Sequence, residues 1–255
     1  MTKKEIIIEA HQLTMGYDSF ILQKDMNFQI HKNDIFIIMG GSGCGKSSLL
    51  RVMTGLLKPI KGSVWINGKN FTASTPYEQK DVMKKCGILY QSGALFSSMT
   101  LAENIALPLQ QYTDYSPNTI KEIASLKLAL VGLAGFETFY PSEISGGMKK
   151  RAGLARALAL DPEIVYFDEP SAGLDPISSK LLDDLIKNIN QSLGTTLVVV
   201  THELSSLLDI GTNGIYLDSE TKTIIANGKP SDLLKNPPNE KVHEFLTRGN
   251  INHVK

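Results

Sequence analysis

A glycine-rich segment early in the chain has the residue types and the spacing that phosphate binding requires. The segment begins at Gly40 and, after four further residues, ends with Gly45-Lys46-Ser47. An apolar stretch precedes it, and leucines at helical spacing follow it. Glycines let the backbone turn so that successive N–H groups face phosphate oxygens, and a helix start adds partial positive charge. In this pattern Lys46 reaches the β- and γ-phosphates and the Ser47 hydroxyl binds Mg²⁺. We predict a nucleoside triphosphate site, with an ordinary glycine-rich turn as the alternative. The predicted phosphate loop comprises Gly40, Gly41, Ser42, Gly43, Cys44, Gly45, Lys46, Ser47 and Ser48.

Two later strand ends carry polar side chains that fit the same chemistry. Asp168 and Glu169 follow the apolar residues 164–167, and His202 follows residues 197–201. Ligands of open α/β sheets bind at the carboxyl ends of strands. There one carboxylate can hold Mg²⁺ and the next can orient or deprotonate an attacking water. In isolation the acid pair is more often a cap or a turn, and a lone histidine is more often structural.

A second glycine-rich helix start is Ser145-Gly146-Gly147-Met148, followed by a helix that runs toward Leu160. It is another anion-accepting helix N-terminus. The phosphate loop already accounts for the phosphates of one nucleotide, and Ser-Gly-Gly in isolation is a common loop.

The elements that must position these side chains alternate between strand and helix. Short strands at residues 5–10, 26–30 and 63–66 come first, with a tight turn at Asn67-Gly68. Residues 96–160 are mostly helical, with a helix start at Ser116-Pro117, and the stretch after residue 236 is expected to be peripheral. The helix after the phosphate loop should run to Pro59. A later helix should run from Asp175 to Gly194. This order predicts a parallel sheet covered by helices.

Composition limits the classes of function. The 255 residues suit one large domain or one domain with an inserted lobe. The charges of the 26 basic and 26 acidic residues cancel, which argues against nonspecific electrostatic binding of nucleic acid. No apolar run approaches the roughly 18 residues of a membrane span, and the run after Lys4 is shorter than a signal peptide core. Cys44 and Cys86 are expected to be reduced thiols in a cytoplasmic protein that attaches to a membrane through a partner.

The ordered motifs resemble those of ABC ATPases over nearly the whole chain. The resemblance rests on a Walker A loop at residues 40–48, a Q-loop at Gln91, a signature at residues 144–148, a Walker B strand at residues 164–169, a D-loop at residues 171–175 and a switch histidine at His202. Other P-loop families lack the signature between the Q-loop and the Walker B strand. Met148 stands where the family usually has Gln, and no departure removes a catalytic group.

This resemblance implies an α/β fold of the P-loop NTPase type. It implies a RecA-like parallel sheet core, an N-terminal antiparallel β subdomain and an inserted α-helical signature subdomain. The ATPase domain would span residues 5–246, with the helical subdomain at about 96–160, and a short C-terminal tail would span 247–255.

The resemblance also implies a homodimer arranged head to tail. ATP on one subunit's phosphate loop would be closed over by Ser145, Gly146, Gly147 and Met148 of the other, with Asp175 in the adjoining D-loop. Glu169 would be the catalytic base, His202 a γ-phosphate contact, and Asp168 and Gln91 would hold Mg²⁺ together with Ser47. Tyr17 would stack on the adenine.

A narrower resemblance lies in residues 91–96 and 145–151, which look like the ATPases of Mla/Mce-type lipid transporters. It implies an integral-membrane permease of the MlaE type, an MCE-domain protein, a STAS-domain regulator and no nucleic acid. The chain would then sit on the cytoplasmic face of the inner membrane. The alternative is that residues 92–96 dock the coupling helix of any permease, for another small molecule.

Three rival functions belong to other classes. A soluble ABC protein acting on DNA or ribosomes would have tandem cassettes, coiled-coil insertions or basic surfaces. A P-loop kinase or GTPase would need neither signature nor D-loop. A scaffold that binds nucleotide without turnover predicts the loss of Glu169 or Lys46, and both are present.

Overall fold

The computed structural model describes residues 4–247. The strands are β1 (Ile6–Tyr17), β2 (Phe20–His31), β3 (Ile35–Gly40), β4 (Lys61–Ile66), β5 (Lys69–Asn70), β6 (Cys86–Leu89), β7 (Ile164–Asp168), β8 (Thr196–Val200), β9 (Asn213–Asp218) and β10 (Thr223–Asn227). The helices are α1 (Lys46–Met53), α2 (Pro76–Met83), α3 (Leu101–Tyr112), α4 (Pro117–Leu130), α5 (Gly146–Ala157), α6 (Pro176–Leu193), α7 (Leu204–Ile210), α8 (Pro230–Lys235) and α9 (Glu240–Thr247). Of the predicted tail at 247–255, Thr247 is the last residue of α9, and residues 248–255 lie outside the described residues.

These strands form a central sheet and a smaller antiparallel sheet. The central sheet has the order β10-β9-β3-β8-β7-β6, and all its strands are parallel except the edge strand β10. The antiparallel sheet has the order β2-β1-β4-β5. Both features confirm the predicted α/β fold with a parallel core and an N-terminal antiparallel part. Because β3, β8 and β7 are neighbours, their carboxyl ends lie side by side.

Apolar layers cover both faces of the central sheet. Phe36 and Ile38 pack toward α1 and the antiparallel sheet, whereas Ile37 and Val165 pack toward the helices that cover the opposite face. Burial on both faces explains why these strands are continuous apolar runs without alternation. The phosphate loop and the strand ends therefore stand on a rigid support.

Helices α3 to α5 lie between β6 and β7 and pack on one another. The Ser116 side chain caps α4, with Pro117 in the first turn, as predicted. The Asp175 side chain caps α6, and Gly194 ends it in the left-handed conformation, also as predicted. No helix within residues 4–247 combines the length and the apolarity needed to cross a bilayer.

Helix α1 ends earlier than the sequence suggested. We predicted a helix that runs to Pro59, but its last residue is Met53. The Thr54 hydroxyl donates to the Leu50 carbonyl, and Gly55 turns the chain with φ of 76°. A glycine in this conformation at a helix end reverses the backbone, so the later leucines lie outside the helix.

Residues 240–247, which form α9, are not peripheral, so the prediction was wrong for this part of the stretch after residue 236. Val242 and Leu246 of α9 are fully buried in the core. Lys241 Nζ lies 3.3 Å from Asp218 Oδ1, at the carboxyl end of β9. Most residues of this stretch are polar, but α9 is an amphipathic helix whose apolar face packs against the sheet.

Candidate nucleotide site

The phosphate loop connects β3 to α1 through glycines in conformations that other residues rarely adopt. Gly40 has φ of 146°, Gly43 has 75° and Gly45 has 101°. A Cβ atom at Gly40 would lie 2.5 Å from the Leu217 carbonyl oxygen, so no side chain fits there. Gly45 is also the N-cap of α1, which points the helix N-terminus at the loop. These features make a concave set of backbone donors suited to an anion.

The Lys46 side chain bridges the phosphate loop from within. It is only 9% exposed, and its Nζ donates to the carbonyl oxygens of Gly40 at 3.0 Å and Gly41 at 2.9 Å. A buried ammonium held this way adds a full positive charge where the loop's N–H groups converge. The arrangement attracts polyanions such as the triphosphate of a nucleotide.

Ser47 at the start of α1 and Asp168 at the end of β7 bring a hydroxyl and a carboxylate together. Ser47 Oγ donates to Asp168 Oδ1 at 2.9 Å. Oxygen donors of this kind fit Mg²⁺, which keeps several waters and few protein ligands. Among residues 4–247 no cluster of three or more His, Cys, Asp or Glu side chains forms a metal site.

Glu169 lies next to His202, as the two strand ends predicted. Glu169 Oε2 is 2.8 Å from His202 Nδ1. The two atoms are not aligned for a hydrogen bond, so the buried Oε2 has no hydrogen-bond donor among the described residues. The Glu169 N–H donates to the Val200 carbonyl at 2.9 Å, which ties the end of β7 to β8. The Glu169 backbone is left-handed, with φ of 51°. This strained conformation aims a mostly buried carboxylate at the phosphate loop.

One cavity of about 750 Å³ joins these groups. It is lined by the phosphate loop with Tyr17, Gln91, Glu169 and His202, and its volume suits a nucleotide. The Tyr17 ring is 43% exposed, and its hydroxyl lies 3.2 Å from Ser48 Oγ. That hydrogen bond, together with Arg51, lowers the pKa of the phenol.

The signature segment (residues 145–148) does not line this cavity. Ser145 Oγ accepts the N–H of Met148 at 3.2 Å and caps α5, while Ser145 and Gly146 are exposed. Asp175 likewise serves as a helix cap and lies outside the cavity lining. The structure therefore brings together the predicted phosphate-loop, Q-loop, Walker B and switch residues of one chain, and leaves its signature segment facing outward.

Comparison with known proteins decides the family. A family model described as ABC transporter matches residues 23–172, more than half of the 255 residues. This chain belongs to the ABC transporter family. The ABC ATPase is 39% identical over 240 residues to the intermembrane phospholipid transport system ATP-binding protein MlaF of Haemophilus influenzae, covering 94% of this chain and 90% of that relative.

Two further similarities extend this result. The Mycobacterium tuberculosis protein named "Probable ribonucleotide transport ATP-binding protein mkl" is 42% identical over 249 residues, covering 98% of this chain and 68% of that relative. A dimeric ATP-binding cassette in a post-hydrolysis state, bound to ADP and Pi, matches with a TM-score of 0.78 at 29% identity, over 88% of this chain and 98% of that one. The ABC ATPase is thus an ATP-binding and ATP-hydrolysing protein of a transport system.

Three features of the ABC ATPase site escaped the sequence reasoning. Phe245 of α9 lines the cavity and packs edge-on against Tyr216, with ring centroids 5.1 Å apart. Gln23 is fully buried, and its Nε2 donates to the carbonyls of Cys44 at 2.8 Å and Asp218 at 3.0 Å. Lys150 of α5 is buried, and its Nζ donates to the Glu169 carbonyl at 3.4 Å. The bulges between β1 and β2 shift the alternation, and β2 also holds Asn27 and Gln29, so no local signal singled out Gln23 as buried.

Proposed function

We propose that this ABC ATPase dimerises head to tail and powers a membrane permease in phospholipid or other lipid trafficking of the Mla/Mce type. The observation that carries the proposal is the 39% identity to MlaF over 94% of this chain, because it extends well beyond the shared motifs. The site geometry supports hydrolysis, since a carboxylate, an imidazole and a lysine converge on one cavity.

In the proposed reaction Glu169 accepts a proton from the attacking water while Lys46 holds the β- and γ-phosphates. His202, whose Nδ1 lies 2.8 Å from Glu169 Oε2, contacts the γ-phosphate. Mg²⁺, when bound, neutralises charge on the phosphate oxygens, with Ser47, Asp168 and Gln91 as the residues that would hold it. Tyr17 offers an exposed aromatic face to the adenine.

The second half of the proposed site comes from a second copy. The N-terminus of α5 carries free N–H groups and an exposed Ser145 and Gly146, away from its own cavity. Such a helix start binds phosphate oxygens. The dimeric cassette bound to ADP and Pi supports this arrangement, in which Asp175 lies in the neighbouring D-loop.

Mixing inactive subunits tests the shared site. Ser145→Arg blocks the signature segment and Lys46→Ala disables the phosphate loop. Each variant alone is expected to be inactive, whereas an equimolar mixture regains one intact composite site per mixed dimer. ATPase activity and nucleotide occlusion measure the gain.

The control is wild type mixed with the double variant Ser145→Arg/Lys46→Ala. A shared site makes that mixed dimer inactive, because each of its sites contains one damaged half. A mixture of single variants without activity, or a control mixed dimer with full activity, would contradict the shared site.

A groove beside the loop after Gln91 supports a permease contact. Phe96 is 55% exposed at its edge, and Asn104 fixes the loop through bonds to the backbone of Phe96. Arg156 donates to the Ala94 carbonyl at 2.8 Å. The same short loop thus links the nucleotide cavity at Gln91 to the groove at Phe96, which suits transmission of nucleotide state to a docked permease helix.

The proposed assembly contains two ATPase copies, an MlaE-type permease, an MCE-domain protein and a STAS-domain regulator. The ATPase would lie peripherally on the cytoplasmic face of the inner membrane and bind no nucleic acid. The division into a domain at 5–246 with a helical subdomain at about 96–160 belongs to the same proposal.

Isolation of the intact assembly tests the cargo. Tagged chain carrying Glu169→Gln is purified from detergent-solubilised membranes with ATP, and its partners and lipids are identified by mass spectrometry. We expect a permease, an MCE-domain protein and phospholipid.

The same purification tests the groove at Phe96. Phe96→Ala should lose the permease, while Tyr115→Ala, at another exposed aromatic residue outside this groove, should retain it.

Ribonucleotide transport is the second candidate, because the mkl relative bears that name. Reconstituted assembly is therefore tested with labelled phospholipid and with labelled ribonucleotide. ATP-dependent movement of phospholipid alone supports the proposal, and movement of ribonucleotide alone overturns it.

A further inference from the structure

Lys150 is a buried lysine that joins α5, the helix that follows the signature segment, to the backbone of Glu169, the proposed catalytic base. It lies on α5, five residues after Ser145, and is 6% exposed. Its Nζ donates to the carbonyl oxygen of Glu169 at 3.4 Å. Helix α5 packs closely on the loop after Gln91, since a Cβ at Gly153 would lie 2.9 Å from the Gly93 carbonyl oxygen. Because Lys150 belongs to α5, a movement of this helix would move Lys150 with it.

The ammonium group of Lys150 is costly to bury. Lysines are rarely buried without a carboxylate partner. Within residues 4–247 Lys150 makes no ion pair, and its hydrogen bond goes to the Glu169 carbonyl. Burial lowers its pKa, while the carboxylates of Glu169 and Glu203 act in the opposite direction. An apolar side chain of similar length would fill the same space without this cost, so packing alone does not account for the charge.

Glu169 needs support on both sides because its backbone is strained. Its φ of 51° is left-handed, which is unfavourable for a residue with a Cβ. The Glu169 N–H donates to the Val200 carbonyl of β8. The Glu169 carbonyl oxygen accepts from the Ala172 N–H at 3.2 Å and from Lys150 Nζ. Lys150 is thus the link from a separate helix to this strained residue.

We infer that Lys150 is a positioning residue that couples closure of one nucleotide site to the carboxylate of the other. The inference rests on the proposed function, in which Ser145 closes over the partner's nucleotide while Glu169 acts on the nucleotide of its own chain. Lys150 belongs to the signature helix and contacts the backbone of Glu169. When α5 shifts to close the partner's site, Lys150 holds Glu169 in its attacking conformation.

Steady-state kinetics of three variants test this role. Lys150→Met keeps the length and removes the charge, Lys150→Arg keeps the charge, and Lys149→Met is the matched control on the same helix. We expect Lys150→Met to lower kcat at least tenfold with KM for ATP within about twofold, a loss of roughly 1.4 kcal/mol of transition-state stabilisation. The Hill coefficient for ATP should fall toward one. Lys150→Arg should restore most of kcat, and Lys149→Met should match wild type.

Two outcomes overturn the inference. One is a Lys150→Met enzyme with wild-type kcat and cooperativity. The other is a parallel loss of kcat, ATP affinity and thermal stability that Lys150→Arg does not restore, which would mark a structural role alone. If the mixed-subunit experiment fails, the proposed dimer is wrong. A lower kcat of Lys150→Met that Lys150→Arg restores would still show that Lys150 positions Glu169. An unchanged Hill coefficient in Lys150→Met would overturn the coupling between the two sites.

Discussion

Glu169→Gln is expected to lower kcat for ATP hydrolysis by roughly 100- to 10,000-fold, the usual contribution of a general base. Gln has nearly the same shape, so it fills the space beside His202 without accepting a proton. Because the substitution leaves the phosphate loop unchanged, ATP should stay bound and unhydrolysed. Because ATP holds the two copies together in the proposed site, the variant should accumulate as an ATP-bound dimer.

Size-exclusion chromatography with light scattering, with and without ATP and Mg²⁺, measures this accumulation alongside phosphate release. Glu122→Gln on the exposed face of α4 is the matched control and should behave as wild type. A Glu169→Gln protein that stays monomeric and hydrolyses ATP at the normal rate would remove Glu169 from the proposed role.

Lys46→Ala is expected to reduce ATP turnover by roughly 100- to 1,000-fold, comparable to the loss of one preorganised donor to a developing anion. The substitution removes the positive charge inside the phosphate loop and leaves the carbonyls of Gly40 and Gly41 without that donor. Both the binding of the β- and γ-phosphates and the stabilisation of the transition state should suffer. KM for ATP should therefore rise as kcat falls.

Binding of a fluorescent ATP analogue and steady-state phosphate release measure these two effects. Lys58→Ala, at an exposed lysine after α1 and outside the cavity lining, is the control for the loss of one lysine charge. Turnover by Lys46→Ala at the wild-type rate would count against the assignment of the phosphate loop.

The site residues that the sequence predicted are those fixed by local rules. Gly40, Gly45 and Lys46 occur at the spacing of a phosphate loop between a strand and a helix, and Asp168 and Glu169 follow the apolar residues 164–167 of β7. Parallel strands end at one edge, so the meeting of Glu169 and His202 also followed from the pattern.

What the sequence could not supply depends on contacts between distant segments. The end of α1 was hidden because apolar residues continue after Gly55, although the backbone has already reversed there. The burial of α9 depends on Tyr216 and Asp218 of β9, which lie more than twenty positions earlier in the chain. The contact from Lys150 to Glu169 likewise joins two elements whose spacing in the chain says nothing about their approach.

The placement of α9 also bears on how the protein should be handled. Phe245 lies at the cavity, so a sequence joined directly after Thr247 of α9 would start near the mouth of the nucleotide pocket. The opposite terminus is safer, because Ile6 lies at the far end of β1 from Tyr17, roughly 30–40 Å away by the rise of a strand. An affinity handle or fluorophore for kinetic work therefore belongs before β1.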